Sequence, residues 1–154
     1  MDIKEGSKAP LFEIKSDKGE NVSLESFRGK KVLLYFYPKD NTPGCSLEAK
    51  NFNDNLEKLV KNNIVVLGVS KDTVKSHCSF RDKYDLKFDL LADTESDVIQ
   101  KYGVWVKKKN YGKEYMGIER ATFAIDENGI VEKVWRNVKA GEHITEVMEY
   151  YGIG

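Results

Sequence analysis

The sequence has little of what several large function classes require. Its 154 residues include two cysteines, two histidines and three prolines, and 25 basic side chains balance 25 acidic ones. Zero formal net charge removes the electrostatic case for a nucleic-acid partner or an anionic membrane surface. Apolar runs such as Val32–Tyr37 are about seven residues or shorter, where a bilayer span needs about 20. The opening stretch, MDIKEGSKAP, is polar and has no apolar region of the signal-peptide kind, so the expectation is a cytoplasmic protein. Two cysteines in a reducing compartment argue against a permanent structural bridge, leaving catalysis, redox sensing or packing. There is no C-x-x-C pair, no Gly-rich phosphate loop, no internal repeat and no low-complexity segment. The histidines, His77 and His143, are too scattered to make a zinc site with the cysteines. His77 reads as a polar surface or helix-end residue.

What is present is the patterning of a chain long enough to bury a core in one domain spanning 1–154. Phe12–Leu24 reads as two short strands around the turn Asp17-Lys18-Gly19. Val32–Tyr37 is apolar throughout, as suits a strand covered on both faces. From about Pro43 to Lys61 apolar groups recur at helical spacing (Leu47, Phe52, Leu56, Leu59, Val60), and Ile64–Ser70 is a second apolar strand. Strand, helix, strand with short loops is a βαβ unit with parallel strands and a right-handed crossover. A second helix is predicted from Thr73 to Tyr84 with Asp72 as its cap, a strand over Phe88–Ala92, and a short helix from Glu95 that stops at Gly103. Ala121–Asp126 and Ile130–Arg136 flank Glu127-Asn128-Gly129, a hairpin signal, and a final helix covers Glu142–Tyr151. The segment Val104–Gly117, which mixes lysines with aromatics, is expected to be a solvated loop. Trp105, Phe123 and Trp135 are assigned to the core or to groove walls, and Tyr150 and Tyr151 to helix packing. The ordering predicts an α/β architecture, a central mixed sheet with helices on both faces.

One stretch asks for a chemical explanation: KDNTPGCSLEAK, Lys39–Lys50, immediately after the first central strand. Thr42 is a good N-cap, and Pro43 falls at the first helical position, where its missing N–H costs nothing. Cys45 then lands in the first turn, where free amides and the helix dipole favour an anion. Such a position raises the thiolate fraction. It also lies past the carboxyl end of a central strand, where open α/β sheets place ligand crevices. Ionisation alone is a limited gain: an ordinary thiol is already about 3% thiolate at pH 7, so full ionisation adds roughly 30-fold at most. A catalyst needs transition-state stabilisation as well. The Thr42 hydroxyl and the amides around Gly44 and Cys45 are candidate donors, and an arginine near the sulfur would hold the thiolate. Spacing alone does not choose among the arginines, and a small buried apolar Cys45 is the competing reading.

The residues YPKDNTPGCSLEAKNF resemble the peroxidatic loop and helix of the peroxiredoxins, in particular the Q subfamily of bacterioferritin comigratory proteins. The pattern Pro-x-x-x-Thr-x-x-Cys is met by Pro38, Thr42 and Cys45. The likeness extends through GVSKDTVKSH, FDLLAD, KYGV and GIERATFAIDENG, nearly the whole chain. It implies a thioredoxin-like fold with an added N-terminal β-hairpin. The implied activity is reduction of hydrogen peroxide and organic hydroperoxides, with thioredoxin or a similar dithiol protein as donor and no metal, flavin or haem. It selects Arg120 as the arginine beside the thiolate, gives Glu48 an orienting role, and leans toward a monomer. Many members carry a second cysteine five residues after the first; here that position is Lys50. Others carry the resolving cysteine on the following helix, where this chain has Cys78. A disulfide requires Cα atoms within about 7 Å, so the expectation is that the two segments lie farther apart when reduced and that the turn after Thr42 unwinds on oxidation. The alternatives are a one-cysteine peroxidase resolved by an external thiol, a general thiol–disulfide oxidoreductase, and a non-enzymatic redox-sensing or binding module.

Overall fold

In the computed structural model, which describes residues 3–154, the centre is a strand, β3 (Lys31–Phe36), whose last five side chains are all buried. On one side it pairs in parallel with β4 (Ile64–Ser70), which pairs in parallel with β5 (Asp89–Ala92). On the other it pairs antiparallel with β8 (Ala121–Ile125), and β8 with β9 (Val131–Trp135). The five-stranded sheet is therefore mixed, in the order β5-β4-β3-β8-β9. At the N-terminus β1 (Glu13–Lys15) and β2 (Asn21–Ser23) form the expected antiparallel hairpin, followed by a 3-10 turn over Leu24–Phe27. This is the α/β architecture that the element order predicts and the thioredoxin-like fold that the resemblance implies.

Side chains alternate across a strand, so β3 feeds two cores. Val32, Leu34 and Phe36 join Leu67, Val69, Phe123 and Tyr102 on one face. That face is covered by the N-terminal segment and by α4 (Asp97–Lys101). Leu33, Tyr35 and Tyr37 face the other way, against α1 (Pro43–Asp54), α2 (Leu56–Lys61), α3 (Val74–Tyr84) and α5 (His143–Tyr151). Cys45, Ala49, Phe52, Leu59, Phe80 and Val147 are the buried side chains these helices contribute. Each fully buried aliphatic or aromatic side chain here is worth roughly 1.5–3 kcal/mol.

Four local expectations need correction. The helix predicted over Pro43–Lys61 is two, because Asn55 turns its side chain onto the Asn51 carbonyl at 2.9 Å and the backbone leaves helical geometry there. The cap of α3 is Thr73, whose Oγ1 accepts from the Ser76 amide at 3.1 Å; Asp72 is drawn away to the Ser70 hydroxyl and the Asp40 amide. Helix α4 begins at Asp97, since Ser96 adopts left-handed geometry with φ 60°. The lysine-rich segment is no loop but a ribbon, β6 (Trp105–Asn110) antiparallel to β7 (Lys113–Ile118). Its two-residue turn, Tyr111-Gly112, has φ of 52° and 79°, the left-handed pair that tight hairpins require and that Gly112 supplies without strain.

Candidate active site

The loop between β3 and α1 begins with the half-buried Pro38, reverses at Asn41, which has φ 61°, and becomes extended at Thr42. Pro43 then opens the helix, and the Ser46 amide donates to the Thr42 carbonyl at 2.8 Å. The amides of Gly44 and Cys45 fall in this first turn, which has no carbonyl one turn earlier within the helix to accept them. Thr42 does not cap the helix with its side chain. Its hydroxyl donates instead to the Lys39 carbonyl at 2.8 Å, which fixes the rotor and leaves the oxygen's lone pairs free to accept.

Sheet pairing explains how a residue 75 positions further along reaches Cys45. Strand β8 runs antiparallel to β3 with Ala121 opposite Phe36, so the start of β8 lies beside the end of β3. Arg120, one residue before β8, is held there by its carbonyl, which accepts from the Val138 amide at 2.9 Å. Its guanidinium donates from Nη2 to Cys45 Sγ at 3.3 Å and from Nη1 to Glu48 Oε1 at 2.7 Å. Glu48 lies three residues after Cys45, on the same face of α1. Gly44 leaves room for this approach: a Cβ there would stand 3.2 Å from Arg120 Nη2, a tight contact that the guanidinium would have to ease by a small shift.

The electrostatics are those of an enclosed site. Glu48 is 1% exposed, and burial pushes its carboxyl up to about 7, against the pull of Arg120. Its second oxygen, Oε2, has no hydrogen-bond partner among the described residues. Burial also opposes charge on Arg120, but Glu48 and Cys45 more than offset it and raise its pKa above the usual guanidinium value. Beneath them, burial first and then the neighbouring Glu48 and Cys45 hold the Tyr35 phenol well above its ordinary range, so it stays protonated.

The structure thus brings Cys45, Glu48, Arg120 and Gly44 into one cluster, with Thr42 and Pro38 on the loop leading into it. Cys78 is not part of that cluster. It is an exposed free thiol on α3, whose inward side chains are His77 and Phe80, whereas Cys45 is buried and also free. Two groups escaped the sequence reading. His77 is fully buried, not a surface residue, and it bonds to Asp40 and to the Leu91 carbonyl. Lys108 projects from β6 with its stem against Gly117. Its pKa is lowered by burial first and then by Arg120, while Cys45 and Glu119 act the other way. Trp105–Asn110 reads WVKKKN, with no apolar–polar alternation, so its sequence offers no period-2 signal for a strand.

Comparison with known proteins gives a consistent result. The model of the AhpC/TSA family matches residues 6–134. A putative peroxiredoxin bcp of Coxiella burnetii is 53% identical over 148 residues, 96% of this chain and 98% of that protein. Peroxiredoxin Bcp of Bacillus subtilis is 48% identical over 149 residues, 97% and 95% of the two chains. Among solved structures, a cysteine-to-serine mutant of Xylella fastidiosa PrxQ superposes with a TM-score of 0.93 at 33% identity, covering 99% of this chain and 97% of that one. The bacterioferritin comigratory protein of Xanthomonas campestris, studied for alkyl peroxide reduction in trapped intermediate and ligand complexes, has a TM-score of 0.87 at 35% identity, covering 92% and 90%.

Proposed function

The chain belongs to the AhpC/TSA family as a peroxiredoxin of the Bcp, or Q, type and is a thiol peroxidase, and on that premise we propose that Cys45 is its peroxidatic thiol and Arg120 the group that activates it. The observation that carries this reading is the Arg120 guanidinium, which bridges Cys45 Sγ at 3.3 Å and Glu48 Oε1 at 2.7 Å. The thiolate attacks the terminal oxygen of a hydroperoxide, the O–O bond breaks, and Cys45 becomes a sulfenic acid. The departing alkoxide or hydroxide takes up the proton the thiol gave up, leaving as alcohol or water. Arg120 is charged throughout and stabilises both the thiolate and the negative charge on the leaving oxygen. Thr42 Oγ1, with its own proton engaged by Lys39, accepts from the hydroperoxide O–H, and the Gly44 and Cys45 amides donate to it. Glu48 orients the guanidinium, and Pro38 sets the loop's exit from the sheet. Hydrogen peroxide and organic hydroperoxides are the substrates, the latter in line with the alkyl peroxide reduction studied in the Xanthomonas relative.

Cys78 resolves the sulfenic acid: its thiol forms the S–S bond, the S–O bond breaks, and water leaves with the thiol proton. A dithiol donor of the thioredoxin kind then reduces the bridge by exchange. The exposure of Cys78 supports this assignment, since the donor must reach the disulfide. The buried position of Cys45 requires the first turn of α1 to unwind for the two to meet. The enzyme works as a cytoplasmic monomer folded as one domain over 1–154. Stopped-flow peroxide consumption with a thioredoxin system, together with mass spectrometry after one equivalent of peroxide, tests the scheme. Saturable turnover lost in Cys45→Ser and a Cys45–Cys78 linked peptide are the expected results. Turnover no faster than that of a free thiol would overturn the role of Cys45. Turnover without the linked peptide would replace Cys78 with an external thiol.

A further inference from the structure

A hydrogen-bonded cluster that the peroxide chemistry does not use lies behind the loop bearing Thr42 and Cys45. Asp40 is 5% exposed and His77 wholly buried. Asp40 Oδ1 accepts from the Tyr37 hydroxyl at 2.6 Å, and Oδ2 accepts from the Ser76 hydroxyl at 2.8 Å and faces His77 Nδ1 at 2.7 Å. The Asp40 amide donates to Asp72 Oδ2 at 2.8 Å. On the far side, His77 Nε2 lies 2.9 Å from the Leu91 carbonyl of β5. A carbonyl only accepts, so Nε2 carries a proton, and a second proton lies between Nδ1 and the Asp40 carboxylate. The side chains of Asp40, Asp72 and His77 come within 4.8 Å of one another, and these hydrogen bonds account for their closeness without an ion.

The placement of the cluster is what gives it a role. The last sheet bond before the loop is from the Tyr37 amide to the Val69 carbonyl, and the first helix bond after it is from the Ser46 amide to the Thr42 carbonyl. Between them, among the described residues, the loop's hydrogen bonds to other elements all run through Asp40, while the Thr42 hydroxyl only closes the loop on itself. The partners on the other side, Ser76 and His77, belong to α3 and immediately precede Cys78. Burying such a pair is costly, and an apolar contact would fill the same space; what directional, charge-assisted bonds add is a fixed orientation.

We infer that the Asp40–His77 pair is a pivot: it positions the peroxidatic loop for attack on peroxide and keeps that loop fastened to α3 while the first turn of α1 unwinds toward Cys78. The second half of this role rests on Cys78 being the resolving thiol. In that step the Cys45–Cys78 S–S bond forms, the Cys45 S–O bond breaks and water leaves; the pivot takes no part in the chemistry and acts only on the approach of the sulfurs.

Two variants separate positioning from bulk stability. His77→Asn keeps a donor at the place of Nδ1 and loses the link to Leu91. His77→Gln keeps a donor at the place of Nε2 and loses the link to Asp40. Sulfenic acid formation and disulfide formation are measured separately by stopped flow, with mass spectrometry of the products. His77→Gln is expected to slow both steps by about tenfold, a barrier change of about 1.4 kcal/mol each, and to accumulate Cys45 sulfinic acid at high peroxide. His77→Asn stays within about twofold of wild type on both. Equal effects of the two variants, or unchanged rates in His77→Gln, would overturn the pivot. If wild type yields no Cys45–Cys78 peptide, the Cys78 reading fails by itself, and the sulfenic acid rate still decides the positioning role. If His77→Gln does not fold, Ser76→Ala removes one Asp40 bond and is expected to slow the same steps to a smaller degree; no change there overturns the inference.

Discussion

At the scale of single residues, the site turns on how one guanidinium is shared. Arg120 meets sulfur with one nitrogen and carboxylate with the other, at 3.3 and 2.7 Å, a forked geometry that an ammonium cannot reproduce. Arg120→Lys keeps the charge and loses the fork. Its second-order rate with peroxide is therefore expected to fall by about 100-fold, about 2.7 kcal/mol, as read by stopped-flow fluorescence. A loss below about threefold would mean that charge alone suffices. Glu48 carries a pH signature. Burial raises its carboxyl from 4.5 to about 7, so the folded chain holds that proton more tightly than the unfolded chain does. The stabilisation, on the order of 3 kcal/mol, is complete below the unfolded pKa and is lost as pH rises through about 7. His143 works in the opposite sense: burial, resisted by Glu146, lowers its pKa from 6.5, so its contribution is present above that value and is lost on acidification. The two slopes oppose each other, and Glu48→Gln leaves only the second. Urea midpoints of the variant are expected to climb from pH 5 to 7 more steeply than those of wild type; parallel curves would place the Glu48 proton elsewhere.

At the scale of elements, small capping choices decide where α3 begins and hence how its inner and outer faces are set. Thr73 is exposed and its side chain caps the Ser76 amide, so Thr73→Ala is expected to cost about 1 kcal/mol in urea unfolding, with little effect on the peroxide rate. Asp72→Ala differs in kind, because its carboxylate holds the Asp40 amide at 2.8 Å; it is expected to slow peroxide attack as well as to destabilise. Sequence pattern located α3 but named the wrong cap, since both residues are good caps and only the tertiary demand of Asp40 tells them apart. The same limit applies elsewhere. The apolar runs of β3 and β4 and the Glu127-Asn128-Gly129 turn are local signals, and the elements appear where those signals put them. The β6–β7 ribbon is not legible because neither WVKKKN nor KEYMGI alternates apolar with polar residues, and its turn uses Tyr111-Gly112 rather than a familiar Asn-Gly pair. Cys45 at a helix start was legible from Thr-Pro-Gly-Cys. That Arg120 faces it depends on the β3–β8 register, which no local spacing encodes, and only the family likeness pointed to it.

At the scale of the whole molecule, the sheet and the turn bearing Cys45 differ in how firmly they are held. Residues 33–36 of β3 and 67–69 of β4 are bonded on both sides, and the two strands are buried between two cores. The first turn of α1 has Pro43, which offers no amide, and Gly44, which adds no side-chain packing. The Ser46 amide makes the first backbone bond of that turn. Opening free energies follow such differences in local contact, so the turn can unwind while the sheet stays closed. Oxidation with one equivalent of peroxide is therefore expected to speed amide exchange in residues 44–47 by about tenfold or more, with the strands unchanged, as measured by hydrogen exchange and mass spectrometry. Cys78→Ser is expected to form the sulfenic acid but no disulfide, and its oxidised form to show at most a small increase in the turn. An equal increase in Cys78→Ser would assign the unwinding to the sulfenic acid itself. Exchange spreading into β3 and β4 would mean that the bridge strains the whole sheet, and the division between a fixed scaffold and a mobile turn would be lost.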